Sequence, residues 1–423
     1  MIQVELNGMK QTLKETWIRI IAFLKWIVAA CALGIVVGSV GVAFHNGIEV
    51  VTALRTSHPW LIYFLPLGGA SIVLLYRICG MEKDRGTNLV LVAARENEPM
   101  KLRTAPLVFL STLITHLVGG SSGREGAVLQ IGGSIASHIG NSMKLRQDSV
   151  RILVVCGMAS AFSALFGTPL TSAMFAMEMV HVGVIHYSAI VPCILSCLVA
   201  VQLASFLGVP PTAFVITGIP ALSIVAVMQV VILGALCAFL SIFFCKSMQL
   251  GHKLYGKYLP KPVLRAAAGG AIVICLTFLA GCYDYNGAGG DIIAAAMQGQ
   301  AKPEAFLLKI LFTVVSLGAG FRGGEIVPVF FTGATFGCAA APLIGLSPSF
   351  GAAVGLVAVF CGVTNCPITS ILLAFELFGG KGLSLFAMAS AVSYMLSGYT
   401  GLYSEQEIVY SKVRPRRISW KVK

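Results

Sequence analysis

Apolar residues run with little interruption over 18–44, 58–80, 186–208, 222–247, 264–282 and 383–398. Most of these runs approach the roughly 20 residues that a helix needs to cross a hydrocarbon core. Between them lie shorter apolar runs, broken by glycine or proline, that cannot each span. The backbone ends of such pieces must be shielded by protein or line a cavity, and paired broken helices are the usual sequence pointer to a transporter's binding site. Ahead of the first run, Glu5, Lys10, Lys14 and Glu15 alternate with Ile2, Val4, Leu6 and Leu13. This predicts a surface-lying amphipathic lead-in over 1–17, without the pattern of a cleavable signal peptide.

The chain also repeats itself. Gly120, Gly123, Glu125 and Gly133 recur 200 residues on as Gly320, Gly323, Glu325 and Gly333. Pro169-Leu170-Thr171-Ser172 with Ala176 and Glu178 recurs as Pro367-Ile368-Thr369-Ser370 with Ala374 and Glu376. Glycine matches are cheap in a glycine-rich chain, but the Pro-x-Thr-Ser-x3-Ala-x-Glu match is not. Two halves are therefore expected, 18–208 and 222–403, joined by a linker over 209–221 and followed by a basic tail over 404–423. The repeat by itself leaves parallel and inverted arrangements open.

Composition narrows the class. Of 423 residues, 57% are hydrophobic and 11% charged, against roughly 25% charged in a soluble domain. An all-α polytopic membrane protein in a lipid bilayer is expected. A disordered chain, a disulfide scaffold and a nucleic-acid partner are excluded. The net charge of +13 collects at the N-terminus (Lys10, Lys14, Arg19, Lys25), in loops at 77–103 (Lys83 among its residues) and 246–265, and in the tail (Lys412 to Lys423). By the positive-inside rule these face the cytoplasm, as do both termini, in a plasma (inner) membrane protein. The cysteines, mostly inside apolar runs, show no metal or redox spacing and read as packing residues. No metal or organic cofactor is implied.

The stretch richest in chemistry is Gly119-Gly120-Ser121-Ser122-Gly123-Arg124-Glu125-Gly126, which ends one apolar segment and begins another. Its glycines let backbone approach a bound group, and the following helix aims free N–H groups at that point, which suits an anion. Glu125 is a tethered anion beside the same donors. Two unit negative charges about 4 Å apart repel by about 4 kcal/mol at an effective dielectric of 20. Proton uptake by Glu125 and entry of a mobile anion then become linked steps. The bland alternative is a structural Arg124–Glu125 pair, although charges inside membrane segments are usually functional.

Gly-Arg-Glu-Gly between broken helices, a second-half Gly-Gly-x-x-x-Pro, and Gly401-Leu402-Tyr403-Ser404 near the end together resemble the CLC family of chloride channels and anion/proton antiporters, over about residues 18–410. The resemblance implies two inverted-topology halves, short helices meeting at a central anion site, and a homodimer with one pathway per subunit. It implies that Glu125 is the gating glutamate and that Tyr403 points its hydroxyl at the central anion. Gly123, Arg124 and Gly126 beside the gate, and Ile326 and Val327 from the second half, are the further expected anion-binding residues.

Departures from the chloride branch carry information too. Its Gly-Ser-Gly-Ile-Pro motif reads here as Gly86-Thr87-Asn88-Leu89, making Thr87 and Asn88 candidate anion contacts. Its internal proton-transfer glutamate falls at Met179, which cannot titrate. Its Gly-x-Phe-x-Pro motif reads Gly324-Glu325-Ile326-Val327-Pro328, placing a second carboxylate, Glu325, at a broken-helix start. These changes resemble the fluoride-exporting branch, the bacterial fluoride/proton antiporters. A protonated Glu125 or Glu325 is a donor suited to a small, strongly hydrated anion. The bland reading of Glu325 is a helix-start carboxylate or a partner of Arg322.

The expectation is a secondary transporter that exports fluoride in exchange for protons, with Glu125 and Glu325 as its proton-coupling groups. A chloride/proton antiporter or chloride channel of the same fold is the alternative. A membrane-embedded enzyme using Ser121 or Ser122 with His116 is another, requiring a nucleophile–base hydrogen bond, and a structural or receptor protein is a third. Glu178 and Glu376 read as structural, His116 as a hydrogen-bonded packing residue, and Lys309 as snorkelling to the interface.

Overall fold

A computed structural model describes residues 2–82, 84–96 and 98–422, with side chains from residue 11 onward. Lys83, Lys423 and the side chains of the expected lead-in up to Lys10 lie outside the described residues. The first half contains α1 (Ile2–Ser57), α2 (Leu65–Ile78), α3 (Thr87–Glu96), α4 (Thr104–Leu117), α5 (Glu125–Ser142), α6 (Gln147–Phe166), α7 (Pro169–Glu178) and α8 (Ile190–Phe206). The second contains α9 (Ile224–Tyr258), α10 (Pro262–Ala280), α11 (Gly290–Met297), α12 (Ala305–Ala319), α13 (Ile326–Ala340), α14 (Pro348–Thr364), α15 (Pro367–Phe378) and α16 (Leu383–Leu396). Among the described residues, seven segments are long and apolar enough to cross a membrane, while α4, α12, α14, α15 and α16 are too short. The protein is a multi-pass, predominantly helical membrane protein.

Two boundaries differ from those read in the sequence. α1 runs unbroken past residue 17, so the polar start continues the first apolar helix. The stretch from Lys246 is not a loop: α9 continues to Tyr258, placing Lys246, Lys253 and Lys257 on its last turns. Both arise because Lys and Glu are good helix formers, and charge alone does not stop a helix. The connection over 209–221 is extended and lies on both halves, Thr212 donating to Phe166 O and Phe214 to Leu377 O. The tail strands β2 (Glu407–Tyr410) and β3 (Arg417–Lys421) join β1 (His181–Val182), which follows α7, in a small three-stranded sheet, with β1 parallel to β2 and β2 antiparallel to β3.

The core lies where the broken helices cross. α5 packs on α6 and α13 on α14 at glycine contacts: an added Cβ at Gly333 would collide with the backbone of Gly355, and one at Gly132 with that of Gly157. Small residues are how membrane helices approach closely enough to pack. Met179 is fully buried, and its carbonyl accepts Gln406 Nε2 from the tail at 3.1 Å.

Candidate functional site

Glycine keeps both chain crossings open. Before α5 and before α13, residues 119–124 and 320–324 run without helix or ladder into the middle of the molecule. There they form a two-residue antiparallel bridge, Gly123 N donating to Gly324 O at 2.6 Å and Gly324 N to Gly123 O at 2.8 Å. A Cβ on Gly324 would stand 2.6 Å from Gly126 N and 2.7 Å from Glu125 Oε2, so only glycine fits. The bridge aims the starts of α5 and α13 at one another. It also occupies Gly123, whose carbonyl takes His116 Nε2 at 3.3 Å as well. Gly123 was expected to contact the anion; its N–H is already bonded, and it ties the halves together instead.

Glu125, the first residue of α5, is wholly buried. Its Oε2 accepts the Val327 N–H at 3.2 Å. An acid from one half is thus seated on a backbone donor from the other half's helix start, the contact a helix N-terminus favours. Its Oε1 has no partner among the described residues. Glu325 precedes α13 and leaves Oε2 unpartnered and buried. A Cβ on Gly126 would lie 3.5 Å from that atom and 2.9 Å from Thr87 Oγ1. The Thr87 hydroxyl, at the first residue of α3, is 3.4 Å from both Gly126 O and Gln130 Nε2. The Tyr403 and Ser122 hydroxyls are further buried polar atoms without a partner among the described residues, and Tyr403 lies close enough to feel both carboxylates.

Most of the expected residues therefore converge: Thr87, Glu125, Gly126, Glu325, Ile326, Val327 and Tyr403 surround one crossing of helix starts. Two others do not. Asn88 Oδ1 accepts the Glu405 N–H at 3.1 Å, facing the tail that carries Tyr403. Because Asn88 follows Thr87 on a helix, its side chain points about 100° away from its neighbour's. The Arg124 guanidinium does not turn back onto Glu125. It reaches α1, 3.2 Å from His45 Nδ1 and 3.5 Å from Glu49 Oε1, beside a cavity of about 580 Å³ that Val327 and Phe330 also line.

Other readings are corrected. Arg322 does not pair with Glu325; it meets Asp84 Oδ2 at 3.3 Å and stacks over the Tyr76 ring. Lys309 does not reach an interface. It is fully buried, and its Nζ donates to Tyr285 O at 3.2 Å and Gly287 O at 2.7 Å. Ser121 Oγ contacts Thr313 Oγ1 and His116 contacts a carbonyl, so no serine–histidine bond exists for an enzyme. Sequence reading missed Gln130, which bonds Gly126 O at 2.9 Å. Its signal was an amide just over one turn after Glu125, set among Ala127, Val128, Leu129 and Ile131.

The fold and this crossing define a membrane ion-transport protein. Residues 67–398 match the family model described as voltage gated chloride channel, and the chain belongs to that family, whose members are channels and exchangers rather than enzymes. It is 35% identical over 399 residues to a chloride/fluoride channel protein of Pseudomonas syringae pv. tomato, covering 92% of this chain and 87% of that protein. It is 24% identical over 417 residues to an H(+)/Cl(-) exchange transporter of Vibrio cholerae, covering 88% and 87%. Among solved structures, a CLC-type fluoride/proton antiporter superposes with a TM-score of 0.88 at 30% identity, covering 91% of this chain and 98% of that one. A slow cyanobacterial Cl-/H+ antiporter shares the fold, with a TM-score of 0.74 at 19% identity.

Proposed function

We propose that the protein exports fluoride in exchange for protons, with Glu125 as the protonatable gate. The observation that carries this reading is the seat of Glu125: its buried carboxylate holds the N–H of Val327, a residue that lines the cavity. Protonation weakens that charge-assisted bond. The side chain can then swing out and leave the same donor to a mobile anion, so proton and anion alternate at one place.

Fluoride is favoured by the donor set. Thr87, Ser122 and Tyr403 bring hydroxyls, and Glu125 or Glu325 adds another when protonated. Short O–H donors suit a small ion of high charge density. Glu325 lies one residue from the donor helix start and interacts electrostatically with Glu125. It serves as the second proton station, in place of the acid missing at Met179. The relatives named for fluoride support the same choice. The basic loops and both termini face the cytoplasm of a plasma membrane, the cavity opens outward, and the molecule works as a homodimer.

Proteoliposomes loaded with equal fluoride and chloride test the substrate. Fluoride should leave first, at least about tenfold faster, with alkalinisation of the outer medium. Chloride efflux equal to or faster than fluoride efflux would return the protein to the chloride branch.

A further inference from the structure

The cavity beyond the gate holds a cation that the exchange step does not use. Arg55, in the last turn of α1, lines it together with Arg124, Thr52, Thr56 and Asn286. The charges facing this space are accounted for one by one. Glu49 pairs with Arg124 at 3.5 Å, and Asp284 with Lys302 at 2.9 Å, while Asp291, in the first turn of α11, also lines the cavity. Arg55 makes no ion pair and no side-chain hydrogen bond among the described residues, and its buried Nε is unpartnered.

Its position is built rather than incidental. The stem packs at Gly119, whose added Cβ would be 3.5 Å from Arg55 Cδ, and the guanidinium lies against Gly287, whose added Cβ would be 2.9 Å from a terminal nitrogen. Both glycines have positive φ, so neither tolerates a side chain that would cover the arginine. The surrounding loop is fixed from behind: Asn286 Nδ2 donates to Gly119 O at 2.9 Å, and Lys309 Nζ to Gly287 O at 2.7 Å. Lys309 adds a second buried basic group, its Nζ bonded to carbonyls rather than to an acid. A guanidinium held half-buried with no counter-ion, above a seat that must exchange an anion, is a site waiting for one.

We propose that Arg55, with Arg124 beside it, forms a capture site for the transported small anion in the cavity, distinct from the seat of Glu125. This rests on the anion-exchange reading, but not on which halide is carried. The site concentrates the anion next to the gate and gives a released ion an intermediate resting place, as charged clefts with low-dielectric walls do.

The test is the half-saturation of exchange in proteoliposomes, read with sodium fluoride and again with sodium chloride, for the wild type, Arg55→Gln and Arg55→Lys. Arg55→Gln should raise half-saturation by about five- to tenfold, the effect of removing one unit charge several ångströms from the ion. Arg55→Lys should stay within about threefold of wild type, and the proton-to-anion ratio should be the same in all three. Raising ionic strength about tenfold with an impermeant salt should weaken wild-type half-saturation and affect Arg55→Gln much less. That comparison begins with the wild type, so a flat wild-type response overturns the proposal even if Arg55→Gln fails to fold. Unchanged half-saturation in Arg55→Gln, or a slower maximal rate alone, would also overturn it. The same Arg55 dependence seen with chloride and no fluoride movement would keep the capture site and remove the fluoride reading. A wild type that moves neither ion would remove both.

Discussion

Glu178, at the end of α7, accepts the backbone N–H of Thr369 at 2.9 Å in the first turn of α15. Glu376, at the end of α15, returns the contact to the Thr171 N–H of α7 at 2.8 Å. Each half caps the other's short helix. This reciprocity, with the antiparallel bridge at Gly123 and Gly324, is what a two-fold relation between inverted halves produces. A helix start buried away from water needs such a partner.

Glu178→Ala therefore strips the N–H groups of Ile368 and Thr369 of their acceptor. It should cost about 2–3 kcal/mol, the scale of charge-assisted bonds to buried donors. Unfolding in detergent should show it as an earlier transition, with the exchange ratio of the remaining folded protein unchanged. A changed ratio at normal stability would move Glu178 into the proton path.

The two glycines at the crossing differ in what surrounds them. At Gly324 an added methyl meets backbone, whereas at Gly126 it first meets the Thr87 hydroxyl, which can rotate. Gly324→Ala should destabilise by about 2–3 kcal/mol, as overpacking does. Gly126→Ala should fold nearly normally but bind the anion several-fold more weakly. Thermal stability and half-saturation measured on both variants separate these effects; equal stability would mean the crossing is looser than drawn.

Tyr403 is presented by a tail that polar contacts hold in place. Asn88 accepts the Glu405 N–H, and Lys421 meets Glu405 at 2.6 Å. Lys421 holds the Glu405 carboxyl below its ordinary value of 4.5. A carboxylate shifted this way stabilises the docked tail above its unfolded titration point, and that contribution disappears as pH falls through the lower, docked value. Hydrogen-exchange protection over 405–410 should persist through the ordinary glutamate range and fall only at more acid pH, and Lys421→Ala should move that fall upward. Protection independent of pH in both proteins would show that the pair does not anchor the tail.

Much of this was legible in the sequence because it was written in short-range patterns. Apolar run lengths gave five of the seven spans, but those at 147–166 and 326–344 lay among the runs read as short pieces, and the run at 383–398 holds only the 14-residue α16. Gly-Arg-Glu-Gly marked the crossing of helix starts because charge beside glycine is rare in membrane segments. What stayed hidden depended on direction. Arg124 and Asn88 lie next to site residues in the chain, yet their side chains turn to α1 and to the tail. Gly123 looked like a free donor until its partner 201 residues away, Gly324, was placed opposite it. Asp84–Arg322 and the buried Lys309 join segments that no local pattern connects, so Arg322 was set beside Glu325 and Lys309 at the interface.

The sharpest experiment records fluoride efflux and proton influx together in liposomes holding wild type or Glu125→Gln. Wild type should move both ions in a fixed ratio against a fluoride gradient, and the variant should keep fluoride binding while proton movement disappears. Full proton coupling in Glu125→Gln would contradict the gate assigned to that carboxylate.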